Sequence, residues 1–305
     1  MSSHTTPSLA LHRYAIFLAC CTLFLVVAGA TVTSKEAGLS VPDWPLSYGQ
    51  LMPPMYGNIF FEHGHRMVAT TVGFLTIILA IWLYRADDRP WMRRLGFAAL
   101  GAVIFQGLLG GLTVLYLLPK WISVSHACLA ELFFSTTVAI ALFTAPSFRR
   151  APEMVDATGS LSLRTLGFLL PAFVFAQVFL GAAYRHKALD ILWHVSGAVI
   201  VTAAVLFVAV FALLSYPHHR TVRTYAILLL GVTFIQVFLG VAAYMSRVVT
   251  ADAPQPMPVM VWFTVAHVAT GALTMATSTL FAIQAARHVR PVAVAPMRSA
   301  ANMSH

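Results

Sequence analysis

Apolar residues run through this chain in long unbroken blocks, without the three-and-four spacing of an amphipathic helix or the alternation of a half-buried strand. Eight such blocks can be drawn, over approximately 14–33, 63–84, 95–117, 122–145, 164–184, 189–215, 222–245 and 258–285. A hydrocarbon core of about 30 Å takes roughly 20 apolar residues of helix, and a helix satisfies its own backbone polar groups where no water can. The pattern therefore predicts an all-α integral membrane protein with eight transmembrane helices. The longest gap, about 30 residues between the first two blocks, is too short for a soluble domain. The alternating signature of an outer-membrane barrel is absent. The first block is too long and wrongly flanked for a cleaved signal, and reads as a retained span.

Charge orients the bundle. With the N-terminus and the even-numbered connections on one side, that side carries 13 of the 19 basic residues, including Arg13, Arg85, Arg89, Arg149, Arg220 and Arg287. The other side carries Lys35, Arg66, Lys120, Arg185, Lys187 and Arg247. Positive charge stays inside, which puts both termini in the cytoplasm of a cell that holds this chain in its inner membrane. Segments 1–13 and 286–305 read as cytoplasmic tails, without order over 1–13 and 290–305, and the tail residues His4 and His305 as solvated. The net charge of +9 follows from this topology and an anionic inner leaflet, and no basic-aromatic module points to nucleic acid. With 59% hydrophobic and 10% charged residues the composition agrees. Cys20, Cys21 and Cys128 lie inside spans, where a thiol behaves as a small apolar side chain; no disulfide or zinc spacing is present.

A repeat divides the chain. "FQGLLGGLTV" (105–114), "AQVFLGAAYR" (176–185) and "IQVFLGVAAY" (235–244) align, with Gln106, Gln177 and Gln236 four residues before Gly110, Gly181 and Gly240. A glutamine and a glycine at that spacing share a helix face, so the glycine allows close approach and the amide can bond across the interface. After each repeat comes a helix with a histidine in its first turns: His126, His194 and His267 lie 16, 13 and 27 residues beyond their glycines. A looser match pairs Gly29 with His65, 36 residues on. Connections vary in length while the histidine keeps its depth near the outer face, so depth is what the repeat specifies. One histidine at an interface is ordinarily an amphipathic side chain; four at matched depth suit iron ligation by neutral imidazoles, as two bis-histidine haems, one per half. The expected architecture is two pseudo-symmetric four-helix bundles, 14–145 and 164–285, joined by a cytoplasmic linker over 146–163. His12, His218, His219 and His288 fall at cytoplasmic ends, His186 in an outer loop, and His63 on the opposite side of its helix from His65.

The second span opens with "EHGHR" (62–66). Glu62, His65 and Arg66 share a helix face, so Glu62 and Arg66 form either a plain interfacial pair or a proton-handling group beside a metal, with Arg66 free to hold a propionate. Glu131, deeper in the fourth span, is a second carboxylate, structural or proton-relaying. Trp44, in a proline-stiffened outer loop, can cover a haem edge.

"GLSVPDWPLSYGQLMPP" (38–54) followed by "EHGHR" resembles the haem A synthase family, and the likeness extends over essentially the whole chain. The resemblance implies oxidation of a methyl group of haem O to the formyl group of haem A, for terminal oxidase assembly. It implies that His65 and His126 flank the substrate haem, that His194 and His267 hold a haem b cofactor, and that Glu62 lies near the reacting methyl. Arg66, Arg185, Lys187 and Arg247 are its candidate propionate or pairing partners. Implied partners are haem O, the prenyl transferase that forms it, an electron donor the sequence does not identify, and membrane lipid; a homo-oligomer is compatible. The chain departs from the family pattern where Val41 and Ser47 take the places of an outer-loop cysteine pair, and where Thr33, with Lys35 nearby, stands for an arginine. A bis-histidine b-type cytochrome for quinone-linked electron transfer is the alternative. A transporter is disfavoured by the lack of broken mid-membrane helices.

Overall fold

The computed structural model describes residues 9–157 and 161–290. His4, His305 and residues 291–305 of the C-terminal tail lie outside the described residues, whereas 286–288 continue α9. Nine helices are found among the described residues: α1 (Leu9–Ser34), α2 (Gly57–Ala86), α3 (Pro90–Leu115), α4 (Lys120–Thr144), α5 (Pro146–Arg149), α6 (Leu163–Arg185), α7 (Ile191–Ser215), α8 (Arg220–Val249) and α9 (Pro258–His288). All except the single-turn α5 are long and apolar enough to cross a membrane. The protein is an all-helical, multi-pass membrane protein; its only β features among the described residues are two isolated bridges.

α1, α2 and α3 begin, and α8 and α9 end, several residues beyond their apolar blocks, because hydrogen bonding propagates into polar sequence once a helix is nucleated. One expectation is corrected at the N-terminus. The segment read as a structureless tail is helical from Leu9, since Leu11 is buried and His12 Nδ1 lies 3.0 Å from the Ala141 carbonyl of α4, which fastens the first turn. Pro90 and Pro258 open α3 and α9 at the first helical turn, where a missing N–H costs nothing. Helix α6 continues unbroken through Pro171.

Packing runs round two rings. In the first, α1 packs on α2, α2 on α3, α3 on α4 and α4 on α1; in the second, α6 packs on α7, α7 on α8, α8 on α9 and α9 on α6. Each ring encloses its own apolar core, around Leu18, Leu79 and Phe133 in one and Leu170, Leu229 and Phe281 in the other. The rings meet through α1 with α9, α4 with α9, and α4 with α6. This is consistent with two pseudo-symmetric halves, because exchanging α1–α4 for α6–α9 maps the set of contacts onto itself. Small side chains line the seam: Ala272 and Ala276 of α9 against Val26 and Phe134, and Ala182 and Ala183 of α6 against Cys128.

The linker after α5 is pinned rather than loose. Val155 exchanges backbone hydrogen bonds with His288 and Arg290 at 2.9 Å each, and His219 and His288 both approach the Glu153 carbonyl, at 3.2 and 2.8 Å. At the same level Arg89 and Arg149 pair with the buried Asp87 at 2.7 and 2.9 Å, tying the α2–α3 turn to α5.

Candidate functional site

Within each ring the histidines occupy one diagonal and their glycines the other. His65 and His126 stand on α2 and α4; Gly29 and Gly110 stand on α1 and α3. His194 and His267 stand on α7 and α9; Gly181 and Gly240 stand on α6 and α8. In all four cases the imidazole lies against the glycine of the preceding span. A Cβ added at Gly29, Gly110, Gly181 or Gly240 would come 3.0, 3.1, 2.9 or 2.9 Å from Cε1 of His65, His126, His194 or His267. No real Cβ packs comfortably at such distances. The repeat glycines are therefore cradles for particular rings, and the close helix approach inferred from sequence follows from that.

The glutamines hold the same histidines from the other end. Gln106 and Gln177 each donate from Nε2 to the backbone carbonyl of His126 and His194, at 2.9 Å in both. The third repeat differs: His267 Nδ1 donates to the backbone carbonyl of Gln236 at 3.1 Å. This makes Nε2 of His267 the unprotonated nitrogen, the tautomer typical of a metal-binding histidine, and Gln236 Nε2 approaches it at a long 3.5 Å. Gln177 Nε2 also approaches His194 Nδ1 at 2.9 Å, so ligation through Nε2 of His194 requires that amide to keep only its bond to the carbonyl while the ring proton moves to Nδ1. In α1 the equivalent of the glutamine is Leu25, and Nδ1 of His65 is buried without a hydrogen-bond partner.

The second-half pair can be tested against haem. The ring centres of His194 and His267 are 6.1 Å apart with their planes at 82°. Two metal–nitrogen bonds of about 2 Å, plus roughly 1 Å from each nitrogen to its ring centre, span about 6 Å. The donor set fits one iron between two imidazoles. The first-half pair lies within electrostatic reach across its ring.

Above the first half, the EHGHR segment is occupied with the outer loop. Glu62 is 4% exposed; Oε2 accepts from the N–H of Val41 at 2.9 Å and Oε1 from Arg66 at 2.7 Å. Arg66 also donates to the carbonyls of Asp43 and Leu46, at 2.7 and 2.9 Å. His63, turned away from the ring interior as its spacing predicts, meets Ser47 Oγ at 2.8 Å, and Ser47 and Val41 are fully buried. This is a buried clamp, far from the exposed pair that would stabilise little. It fastens the 38–54 loop to α2. Trp44 fastens it to α3: its ring lies against Gly111, where a Cβ would come within 2.6 Å. The adjacent glycines at 110 and 111 thus serve different rings, His126 inside the bundle and Trp44 above it. Sequence reading overlooked Gly111, although the doubled glycine was the available signal.

Asp43 closes the loop on itself, accepting from the N–H groups of Gly49 at 2.8 Å and Tyr48 at 2.6 Å. The Gly49 N–H first, then that of Tyr48 and the Arg66 charge, hold this exposed carboxyl below its usual range. A depressed value adds loop stability above the unfolded value of about 4 and loses it as pH falls further. The 38–54 loop is accordingly expected to become protease-sensitive below about pH 4. Asp43→Asn should show the same sensitivity at neutral pH, and equal cleavage of both proteins at every pH would contradict the assignment.

Of the other basic candidates, Arg185 reaches across the seam, donating to the Ala30 carbonyl at 3.0 Å and Ser34 Oγ at 2.7 Å on α1, beside the Gly29 cradle. Arg247 and His267 lie within its electrostatic reach. Lys187 is exposed in the α6–α7 turn. In the same turn His186 is pushed down to about 4, chiefly by burial and then by Arg185 and His126. That turn therefore lies within electrostatic reach of His126.

Comparison with known proteins bears on this arrangement. A family model, COX15-CtaA, described as cytochrome oxidase assembly protein, matches residues 12–59 and 55–193. The match takes in Glu62, His65 and His126 and stops one residue short of His194. A protein named heme A synthase from Symbiobacterium thermophilum is 31% identical over 170 residues, 54% of this chain and 55% of the relative. Another of that name, from Alkalihalophilus pseudofirmus, is 30% identical over 179 residues, 57% of this chain and 59% of the relative. A third, from Shouchella clausii, is 29% identical over 182 residues. The chain thus spans a little over half the length of the curated relatives it matches.

Proposed function

The chain belongs to the COX15-CtaA family of cytochrome oxidase assembly proteins, and from that premise we propose that it is a haem A synthase, oxidising a methyl group of haem O to the formyl group of haem A. The observation that carries this reading is the set of four glycine-cradled histidines on the diagonals of two helix rings, with a clamped loop above only one of them. His194 and His267 hold a resident haem b, and His65 and His126 receive the substrate haem. Held by His194 and His267, haem b would supply one-electron transfer. The protein does the rest: the cradles fix ring depth, the clamped loop shields the first-half site from water, and Glu62 stands at that site as acid or base. Arg66 positions Glu62 and the loop carbonyls. Arg185 and Arg247 are the propionate partners nearest the second site, with Lys187 further out. Both termini face the cytoplasm and both haem sites the outer side. Haem O comes from the prenyl transferase that forms it, and a separate electron donor serves the haem sites.

A b-type cytochrome needs histidine pairs, and it has no use for a clamp of Glu62, His63 and Arg66 above one pair. The deciding experiment is expression with and without a haem O source, followed by purification, a reduced spectrum and identification of the extracted haems. Haem b in both preparations, with haem A appearing only where haem O is supplied, is the expected result. Haem b alone in both would establish the cytochrome reading.

A further inference from the structure

Helix α4 carries a carboxylic acid that neither haem pair uses. Glu131 is 7% exposed, and its Oε2 is buried without a hydrogen-bond partner. It lies five residues beyond His126, which is about 7–8 Å deeper along the helix and well round from the His126 face. Its direction follows from its neighbours. Cys128, three residues before, packs against Ala182 and Ala183 of α6. Phe134, three residues after, packs with Ala272 and Ala276 of α9 and Val26 of α1. Residues three apart share a helix face, so Glu131 occupies the strip of α4 that meets the other half. Ser135, one turn further on, also has its hydroxyl buried without a partner. Cys128 is the titratable neighbour on its own helix. The others that the packed helices bring to the central and outer parts of the membrane are Cys20, Cys21, Tyr184, Arg185 and His267, and none forms a hydrogen bond or ion pair with the carboxyl.

A side chain kept only for packing at this seam would be apolar, like the alanines opposite. An ionised carboxylate there would lack both water and counter-charge, a cost the group escapes by carrying a proton. A positive charge appearing nearby changes that balance, and the seam lies between the two haem sites. We infer that Glu131 is a redox-linked proton carrier, holding a proton when haem bound in the adjoining rings is reduced and releasing it when that haem is oxidised. On reduction, one electron arrives from a one-electron donor, dithionite in the experiment below, and one proton arrives from water to convert the carboxylate to the acid. Oxidation returns both. The local charge at the seam is thereby unchanged, which eases electron passage between the halves in a medium that screens poorly. The inference rests on the haem-binding reading above.

Two measurements test it on the purified haem-containing protein and on Glu131→Gln, which keeps volume and hydrogen-bonding capacity. Haem midpoint potentials are titrated against pH with dithionite and mediators. One proton per electron lowers the potential by about 59 mV for each tenfold fall in proton activity; the native protein should approach this slope, and Glu131→Gln should lose most of it. Redox-difference infrared spectra should show a carboxylic C=O band that shifts in D2O and is missing from the variant. A slope and band that survive in Glu131→Gln would overturn the inference while leaving haem binding intact. Absence of haem from the native protein would instead remove the functional reading, and the redox link with it.

Discussion

Gly240→Ala is expected to strip haem from the second half of the protein nearly as completely as His267→Ala, although it adds a single methyl group. The new Cβ would stand 2.9 Å from Cε1 of His267, and the ring cannot simply withdraw because Nδ1 is bonded to the Gln236 carbonyl at 3.1 Å on the same helix. Either that bond breaks or α8 and α9 separate, and both move Nε2 off the line to His194. Gly181→Ala meets the same obstacle at His194, where the approach is again 2.9 Å. Loss of one of the two histidines would leave the haem to the other and to apolar contacts, so a fall of tenfold or more in haem per protein, roughly 1.4 kcal/mol or more, is expected. Gly107→Ala, with nothing within 4 Å of its Cβ, provides the silent control on α3. The measurement is haem content of the purified variants at matched protein yield. Full occupancy in Gly240→Ala would mean that the cradle does not position the ligand.

Glu62→Ala is expected to abolish haem A formation, by about 100-fold or more, while haem b in the second half stays at native content. The carboxylate is engaged by both the Val41 N–H and Arg66, so its removal opens the clamp as well as deleting an acid or base. Glu62→Gln separates the two effects. The amide oxygen can still accept from Val41, leaving the loop closed, yet it cannot take up a proton at neutral pH. An inactive Gln variant with a protease-resistant loop supports the acid–base role. An active one would show that Glu62 serves only as an anchor, with Arg66 as its partner. Product analysis of extracted haem, with limited proteolysis of the 38–54 loop, reads both outcomes.

How far each feature could be read in advance depended on the range of the interaction behind it. Hydropathy is local and additive along a span, so the eight crossings were legible, and only their ends shifted. The end at Leu9 shifted because His12 bonds to Ala141, about 130 residues away, a contact that no local pattern carries. The pairing of repeat glycine with histidine was legible as a spacing with variable connections. What the glycine does was not, since the 2.9–3.1 Å approaches arise only once the helices are packed. Arg185 shows the same limit. Its place at the end of α6 was legible, whereas its hydrogen bonds to Ala30 and Ser34 of the other half were not.

The sequence by itself determined that this chain crosses a membrane eight times and that four histidines enter at matched depth, because lipid thickness and helical rise convert residue number directly into position. Tertiary structure alone decided which ring lies on which glycine, that Glu62, His63 and Arg66 clamp a loop, and that Glu131 faces the seam. Those outcomes depend on the rotation of each helix about its axis, which is set by the neighbours it packs against.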